Sequence, residues 1–141
     1  VMDFSYYNTQ IHGITATDVK NMPTFPSIWA EIKGYLNNNI VLAHNASFDM
    51  SVLKSILNTY NLEKPNFKYY CTVSLAKKVW PELENHKLNT LASYFNINFK
   101  HHNALHDSKV CAMVAVLATR KLNSKNFAQL ITKLNLKDNK F

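Results

Sequence analysis

Two short apolar runs, Ile40–Ala43 and Phe67–Val73, are the stretches of this 141-residue chain that read as β-strands, and they confine the fold to a narrow set. Ile40-Val41-Leu42-Ala43 shows no polar alternation, the pattern of a strand buried on both faces. Phe67 to Val73 is aromatic and β-branched, which suits a pleated, packed surface. Two central strands without companions do not make a stable sheet. Either another segment supplies more strands, or strands near the N-terminus escape the pattern. With 2 Gly and 4 Pro in the whole chain, sparse punctuation favours helices and connected elements over an all-β fold with many tight turns. The fold class is α/β.

Helical spacing fills most of the rest. Pro23 and Pro26 frame a helix carrying Ile28, Ile32, Tyr35 and Leu36, ended by Asn37–Asn39. A second runs from about Phe48, with Val52, Leu53, Ile56, Leu57 and Tyr60 on one face. Residues 74–80 read as a short helix stopped by Pro81 and the acidic Glu82–Glu84 loop. Leu88, Leu91, Ala92 and Phe95 form a further stripe, and a long helix from about Ala104 to Leu122 turns Val110, Val114, Leu117 and Ala118 inward. Ser124 is the expected N-cap of a last helix with Phe127, Leu130, Ile131 and Leu134. Residues 1–25 read as irregular.

The length suits one domain, and 47% apolar against 18% charged residues marks a globular chain. The formal charge is +7, of which residues 120–141 carry +5 and the first 119 residues +2. That surplus is either a solvated lysine-rich face or a contact for a polyanion. Fifteen of the sixteen basic residues are Lys, which suits diffuse phosphate attraction better than bidentate base reading. Cys71 and Cys111 fit no zinc or redox spacing and read as two buried, reduced thiols. Neither a signal peptide nor an apolar run of membrane-spanning length is visible, so the expected setting is cytoplasmic, without a membrane partner.

Two segments carry the chemistry, His44-Asn45-Ala46-Ser47-Phe48-Asp49 and His102-Asn103-Ala104-Leu105-His106-Asp107. Each ends in a carboxylate in the first turn of an expected helix, where compensation of the helix dipole is the plain explanation. Their settings argue for more. Asp49 follows a buried strand, and ligands of α/β sheets bind at strand carboxyl ends. His44 and Asn45 share its loop, and Phe48 offers a stacking surface. Three of six histidines, His101, His102 and His106, fall within six residues, but zinc held by these alone lacks the usual ligand spacing. The carboxylates are oxygen donors suited to Mg²⁺ or Mn²⁺. A neutral histidine beside such ions can accept a proton from attacking water.

The same two segments resemble the second and third motifs of the DEDDh 3′–5′ exonucleases, the proofreading-type nucleases similar to the epsilon subunit of bacterial DNA polymerase III. Ile11-His12-Gly13-Ile14-Thr15 resembles a family segment that lies against the 3′ nucleotide, and Met22-Pro23-Thr24-Phe25 and Cys71-Thr72 are similar to family stretches. The likeness covers roughly residues 8–120. It implies a ribonuclease H-like exonuclease fold. By this resemblance Asp49 and Asp107 are catalytic carboxylates that bind metal, and His102 is the general base. His102, unlike His101, stands five residues before Asp107 as the motif requires, and Asn103 occupies the position where the family's sister group has Tyr. His12, His44, Asn45 and Phe48 would line the site for the terminal nucleotide.

One family motif is absent. No Asp-x-Glu occurs anywhere, and Asp3-Phe4-Ser5 has Ser where Glu belongs. Asp18 and Glu31 are not on an expected strand. The expectation is a chain lacking the N-terminal strands of the fold, with residues 1–122 an incomplete exonuclease domain and 123–141 a C-terminal helix and basic tail. Two divalent ions bring four positive charges, against two negative ones from Asp49 and Asp107, so weak metal binding and little activity are expected of these residues alone. The expected substrate is a single-stranded 3′ end, DNA rather than RNA, with a DNA polymerase as a further partner. The alternative is a non-catalytic nucleic-acid-binding or polymerase-associated module on the same scaffold. An unpaired strand edge also predicts homodimerisation.

Overall fold

A computed structural model describes residues 5–141; the Asp3–Phe4 part of the segment lacking Glu lies outside the described residues. The order is α1 (Tyr6–His12), α2 (Ala16–Val19), α3 (Phe25–Leu36), β1 (Ile40–Ala43), α4 (Ala46–Thr59), β2 (Lys68–Cys71), α5 (Thr72–Val79), α6 (Leu88–Tyr94), α7 (Ala104–Lys121), α8 (Phe127–Leu134) and β3 (Asn139–Lys140).

The sheet order is β1-β2-β3. β1 and β2 are parallel and in register, Ile40 opposite Lys68 through to Ala43 opposite Cys71. The helix between them, α4, is the crossover that parallel strands require. Because the strands end level, α4 and α5 start side by side at the carboxyl edge, which brings residues 44–49 next to Thr72. β3 returns antiparallel to β2, and stacking of Phe141 on Phe67 at 4.6 Å fastens it.

The core lies where α5, α6, α7 and α8 meet. Leu75, Ala76, Val79, Trp80, Leu91, Val114, Ala115, Ala118 and Leu130 form one buried cluster. Burying a leucine such as Leu130 fully contributes about 1.5–3 kcal/mol. Leu130 belongs to α8, so residues 123–141 share their core with the preceding helices.

Four helices end alike. Asn61, Asn96, Asn123 and Asn135 take left-handed φ of 48–55° just beyond α4, α6, α7 and α8. In each case the next amide bonds five residues back, as in Leu62 N to Leu57 O at 2.9 Å and Ser124 N to Thr119 O at 2.9 Å. This is the Schellman ending, normally given to Gly. Asn does that work here, which explains how so few glycines suffice.

Several expectations are corrected. Residues 1–25 are not irregular throughout: α1 and α2 form, α2 closed by a capping box between Thr15 and Asp18. That box fixes the role of Asp18 as a cap. Asn126, not Ser124, caps α8, its Oδ1 accepting from Gln129 N at 2.9 Å. β2 stops at Cys71, and Thr72 and Val73 are already helical. β1 is not buried on both faces, since it is the sheet's outer strand and Ile40 is 47% exposed. Ile32, Tyr35, Val52 and Tyr60 are also exposed, because among the described residues little covers those faces of α3 and α4. Cys71 is half-buried while Cys111 is buried, and both are free.

Candidate functional site

Leu42, Ala43 and His44 at the end of β1, Asp49 on α4, Leu88 on α6, and Ala104, Asp107, Ser108 and Cys111 on α7 line one cavity of about 340 Å³. Asp49 and Asp107 therefore face a common space from two helices. Each lies in the first turn of its helix, where the free amides and the dipole favour negative charge. Burial pushes the Asp49 carboxyl up, partly offset by a backbone hydrogen bond and by His44. Asp107 Oδ1 is buried and has no hydrogen-bond partner among the described residues. An orphaned carboxylate oxygen is costly. A bound cation would supply the missing partner, and a paired oxygen-donor set fits Mg²⁺ or Mn²⁺.

His44 reaches the cavity, but both ring nitrogens are engaged within the protein. Nε2 lies 2.8 Å from the His86 carbonyl oxygen, and a carbonyl can only accept, so Nε2 carries the proton. Nδ1 then accepts from the Thr72 hydroxyl at 2.8 Å. Cys111 Sγ lies 3.4 Å from Thr72 Oγ1 and completes a chain of polar contacts behind the cavity. Burial pushes the His44 imidazole below its ordinary value, against the pull of the His86 carbonyl, Asp49 and Asp107. Sequence reasoning missed Thr72 and His86 as supports of His44. Residues 28 and 42 positions away leave no local signal.

His102 does not line the cavity; it lies in the turn before α7, beside Asp107. Its φ is +63°, the one described non-Gly, non-Asn residue in the left-handed region. That placement has a cause. Asn103 Oδ1 caps α7 by accepting from His106 N at 3.1 Å, and His106 Nδ1 accepts from Lys100 N at 2.8 Å. The two bonds fold the 100–106 turn back over the first turn of α7. Ligand atoms of His101, His102 and Asp107 then lie within 4.8 Å of one another.

The remaining expected residues lie elsewhere. Asn45 takes φ of +71° as N-cap of α4 and lines a second cavity of about 390 Å³ with Cys71, Ser74 and Lys137. Burial raises the Cys71 thiol, but backbone N–H groups of Ser74, Ala46, Val73 and Asn45 outweigh it and hold the thiol below its ordinary value. Phe48 is 65% exposed on α4. His12 ends α1, with Nδ1 accepting from Ile14 N at 3.0 Å, and lines none of these cavities.

The RNase_T family, described as Exonuclease, matches residues 3–115. The chain belongs to this exonuclease family. Among relatives, the DNA polymerase III PolC-type protein of Oceanobacillus iheyensis is 32% identical over 117 residues, 82% of this chain and 8% of that protein. The DNA polymerase III subunit epsilon of Buchnera aphidicola is 33% identical over 117 residues, 78% of this chain and 47% of that one. The chain thus spans a small part of the PolC-type relatives and about half of the epsilon relative. A solved structure, exonuclease X in complex with 5′ overhanging duplex DNA, superposes with a TM-score of 0.66 at 25% identity, over 89% of this chain and 73% of that chain. The exonuclease fold, ribonuclease H-like, is therefore the fold of this chain. Among the described residues no helix is long and apolar enough to cross a membrane.

Proposed function

We propose that this domain hydrolyses the terminal phosphodiester of a single-stranded DNA 3′ end, in the 3′–5′ direction, as part of or beside a DNA polymerase. The observation that carries the reading is the cavity that Asp49 and Asp107 both line, together with the buried Asp107 Oδ1, which has no hydrogen-bond partner among the described residues. These two carboxylates would hold Mg²⁺ or Mn²⁺. When bound, such an ion polarises the scissile phosphate and acidifies the attacking water. His102, with a ring nitrogen within 4.8 Å of the Asp107 carboxylate, takes the water proton as general base. Phe48 stacks on the terminal base from the rim. Asn45 and His12, which the family resemblance also assigns to the nucleotide, lie outside this cavity and would reach only the part of the strand that extends beyond it. His44 acts as a support for the β1–α4 loop and offers the nucleotide only its ring face.

The charge balance limits the rate. Asp49 and Asp107 supply two negative charges, too few to hold two cations about 3.5–4 Å apart. The 141 residues alone therefore bind the ions weakly and turn over slowly. A non-catalytic nucleic-acid-binding module on the same scaffold is the second reading, which the lysine-rich residues 120–141 would also suit. The free cysteines agree with a reducing, cytoplasmic setting. The outer edge of β1 is where a second copy would pair in a homodimer.

The test adds the missing charge. A β-strand bearing Asp-x-Glu, taken from a relative, is fused ahead of residue 1, and Mg²⁺-dependent release of nucleoside monophosphates from single-stranded DNA is followed. Turnover is expected in the fusion and lost in its Asp107→Ala and His102→Ala forms. DNA binding with no turnover in a folded fusion favours the binding module instead.

A further inference from the structure

The turn before α7 gathers a donor set that hydrolysis of DNA does not require. His101 Nδ1 lies 3.7 Å from Asp107 Oδ1. The rings of His101 and His102 lie with centroids 3.8 Å apart. The ligand atoms of all three residues fall within 4.8 Å of one another. His106, the third histidine of the cluster, is not part of the group, because its Nδ1 accepts from Lys100 N. The carboxylate of Asp107 takes its place.

That substitution changes the chemistry. Ligand atoms about 2.0–2.1 Å from a tetrahedral zinc ion sit about 3.3–3.5 Å from each other. The His101–Asp107 separation is near that value already, and the two imidazoles are on the exposed side of the turn, where small rotations close the remainder. Two imidazoles, one carboxylate and a fourth position left to water form a donor set for zinc. Mg²⁺ prefers an all-oxygen octahedron and gains little from imidazole. The buried Asp107 Oδ1 lacks a hydrogen-bond partner among the described residues, a lack that an ion beside His101 would make good once the carboxylate turns toward it.

We propose that His101, His102 and Asp107 form a capture site for zinc or a similar transition ion, which competes with the hard divalent ion for Asp107. The competition rests on the exonuclease reading, whereas the capture site stands by itself. Zinc bound there takes the lone pair of His102 that would accept the water proton, and draws Asp107 away from the cavity. Catalysis is then switched off by trace zinc without any change of fold.

The 141-residue protein is titrated with Zn²⁺ by calorimetry and with Co²⁺ by visible absorbance. One equivalent is expected to bind, with the intense absorbance of tetrahedral cobalt. His101→Asn and His102→Asn are each expected to weaken binding roughly tenfold or more, since losing even an outer-shell partner costs 10–100-fold. Cys71→Ser and Cys111→Ser are expected to leave it unchanged. Circular dichroism checks that each variant is folded. Absence of stoichiometric binding, or affinity unmoved by His101→Asn and Asp107→Asn, overturns the proposal. In a second arm, run on the Asp-x-Glu fusion, Mn²⁺ is bound first and followed by its paramagnetic broadening of NMR resonances around Asp49. Zinc is expected to remove the broadening from the wild type and not from His101→Asn. Zinc binding that requires Asp107 but leaves no Mn²⁺ signal to displace refutes the hydrolytic metal reading and retains the capture site.

Discussion

Replacing Thr72 by Val isolates the polar chain behind the cavity. Thr72 is fully buried, and Val fills nearly the same volume, so the change removes a hydroxyl and little else. The hydroxyl donates to His44 Nδ1 at 2.8 Å. Its loss leaves that nitrogen without a donor, while Nε2 still donates to the His86 carbonyl. A stranded buried acceptor costs about 1–3 kcal/mol; His44 is half-buried, so water recovers part of this and about 1–2 kcal/mol remains. For a domain of this size that lowers Tm by roughly 3–8 °C. Thermal unfolding by circular dichroism measures it. A double-mutant cycle with His44→Leu separates the pair from side effects, and a coupling of about 1 kcal/mol is expected. A Thr72→Val melt within about 1 °C of wild type, or additive effects in the cycle, would falsify the account of His44 as a support held at both nitrogens.

Other outcomes follow from the same geometry. In the Asp-x-Glu fusion, His102→Ala is expected to slow Mg²⁺-dependent nucleotide release by roughly 10²–10⁴-fold, the usual worth of a positioned base; an unchanged rate removes His102 from that role. Leu130→Ala leaves a hole beneath α8 and is expected to cost about 2–5 kcal/mol in denaturant unfolding. Asn61→Ala places a Cβ-bearing residue without a local hydrogen-bonding side chain in a left-handed position and is expected to cost about 1 kcal/mol, while Asn61→Gly costs nothing or stabilises. Burial, and then donation to Asp138, pushes the Tyr70 phenol up to about 12. Its contribution to stability is thus complete below the unfolded value of about 10 and is lost as pH rises through the folded value. Spectrophotometric titration against Tyr70→Phe is expected to lose one late-ionising phenol.

The sequence made α3 to α8 and the two main strands legible because their apolar spacing is local, whereas α1 and α2, short and without a buried residue, carried no such stripe. Asp49 and Asp107 were legible for the same reason, as each sits at a helix start marked by its own neighbours. What escaped was set by distance or by unusual chemistry. β3 is two residues long and polar; only its pairing with β2 makes it a strand. The ends of α4, α6, α7 and α8 are marked by Asn where the expected signal is Gly. Thr72 and His86 hold His44 from elsewhere in the chain, and no periodicity points to them. The exposure of Ile40 and Tyr35 is a fact about what covers them, which an apolar pattern does not encode. The sequence set His102 apart by its spacing to Asp107, but nothing in it showed that His106 is turned aside by its bond to Lys100 N while His101 stays beside Asp107.

The antiparallel return of residues 139–140 has a consequence for assembly. With Phe141 donating its amide to the Phe67 carbonyl at 3.0 Å, one margin of the sheet ends in a strand of two residues, Asn139–Lys140. So short and charged an edge is a poor template, and a newcomer strand finds a longer partner in the four residues of β1 at the opposite margin. That margin ends beside His44 and the acid-lined hollow, so whatever is recruited there also becomes a wall of the reaction chamber. Assembly and chemistry share one doorway.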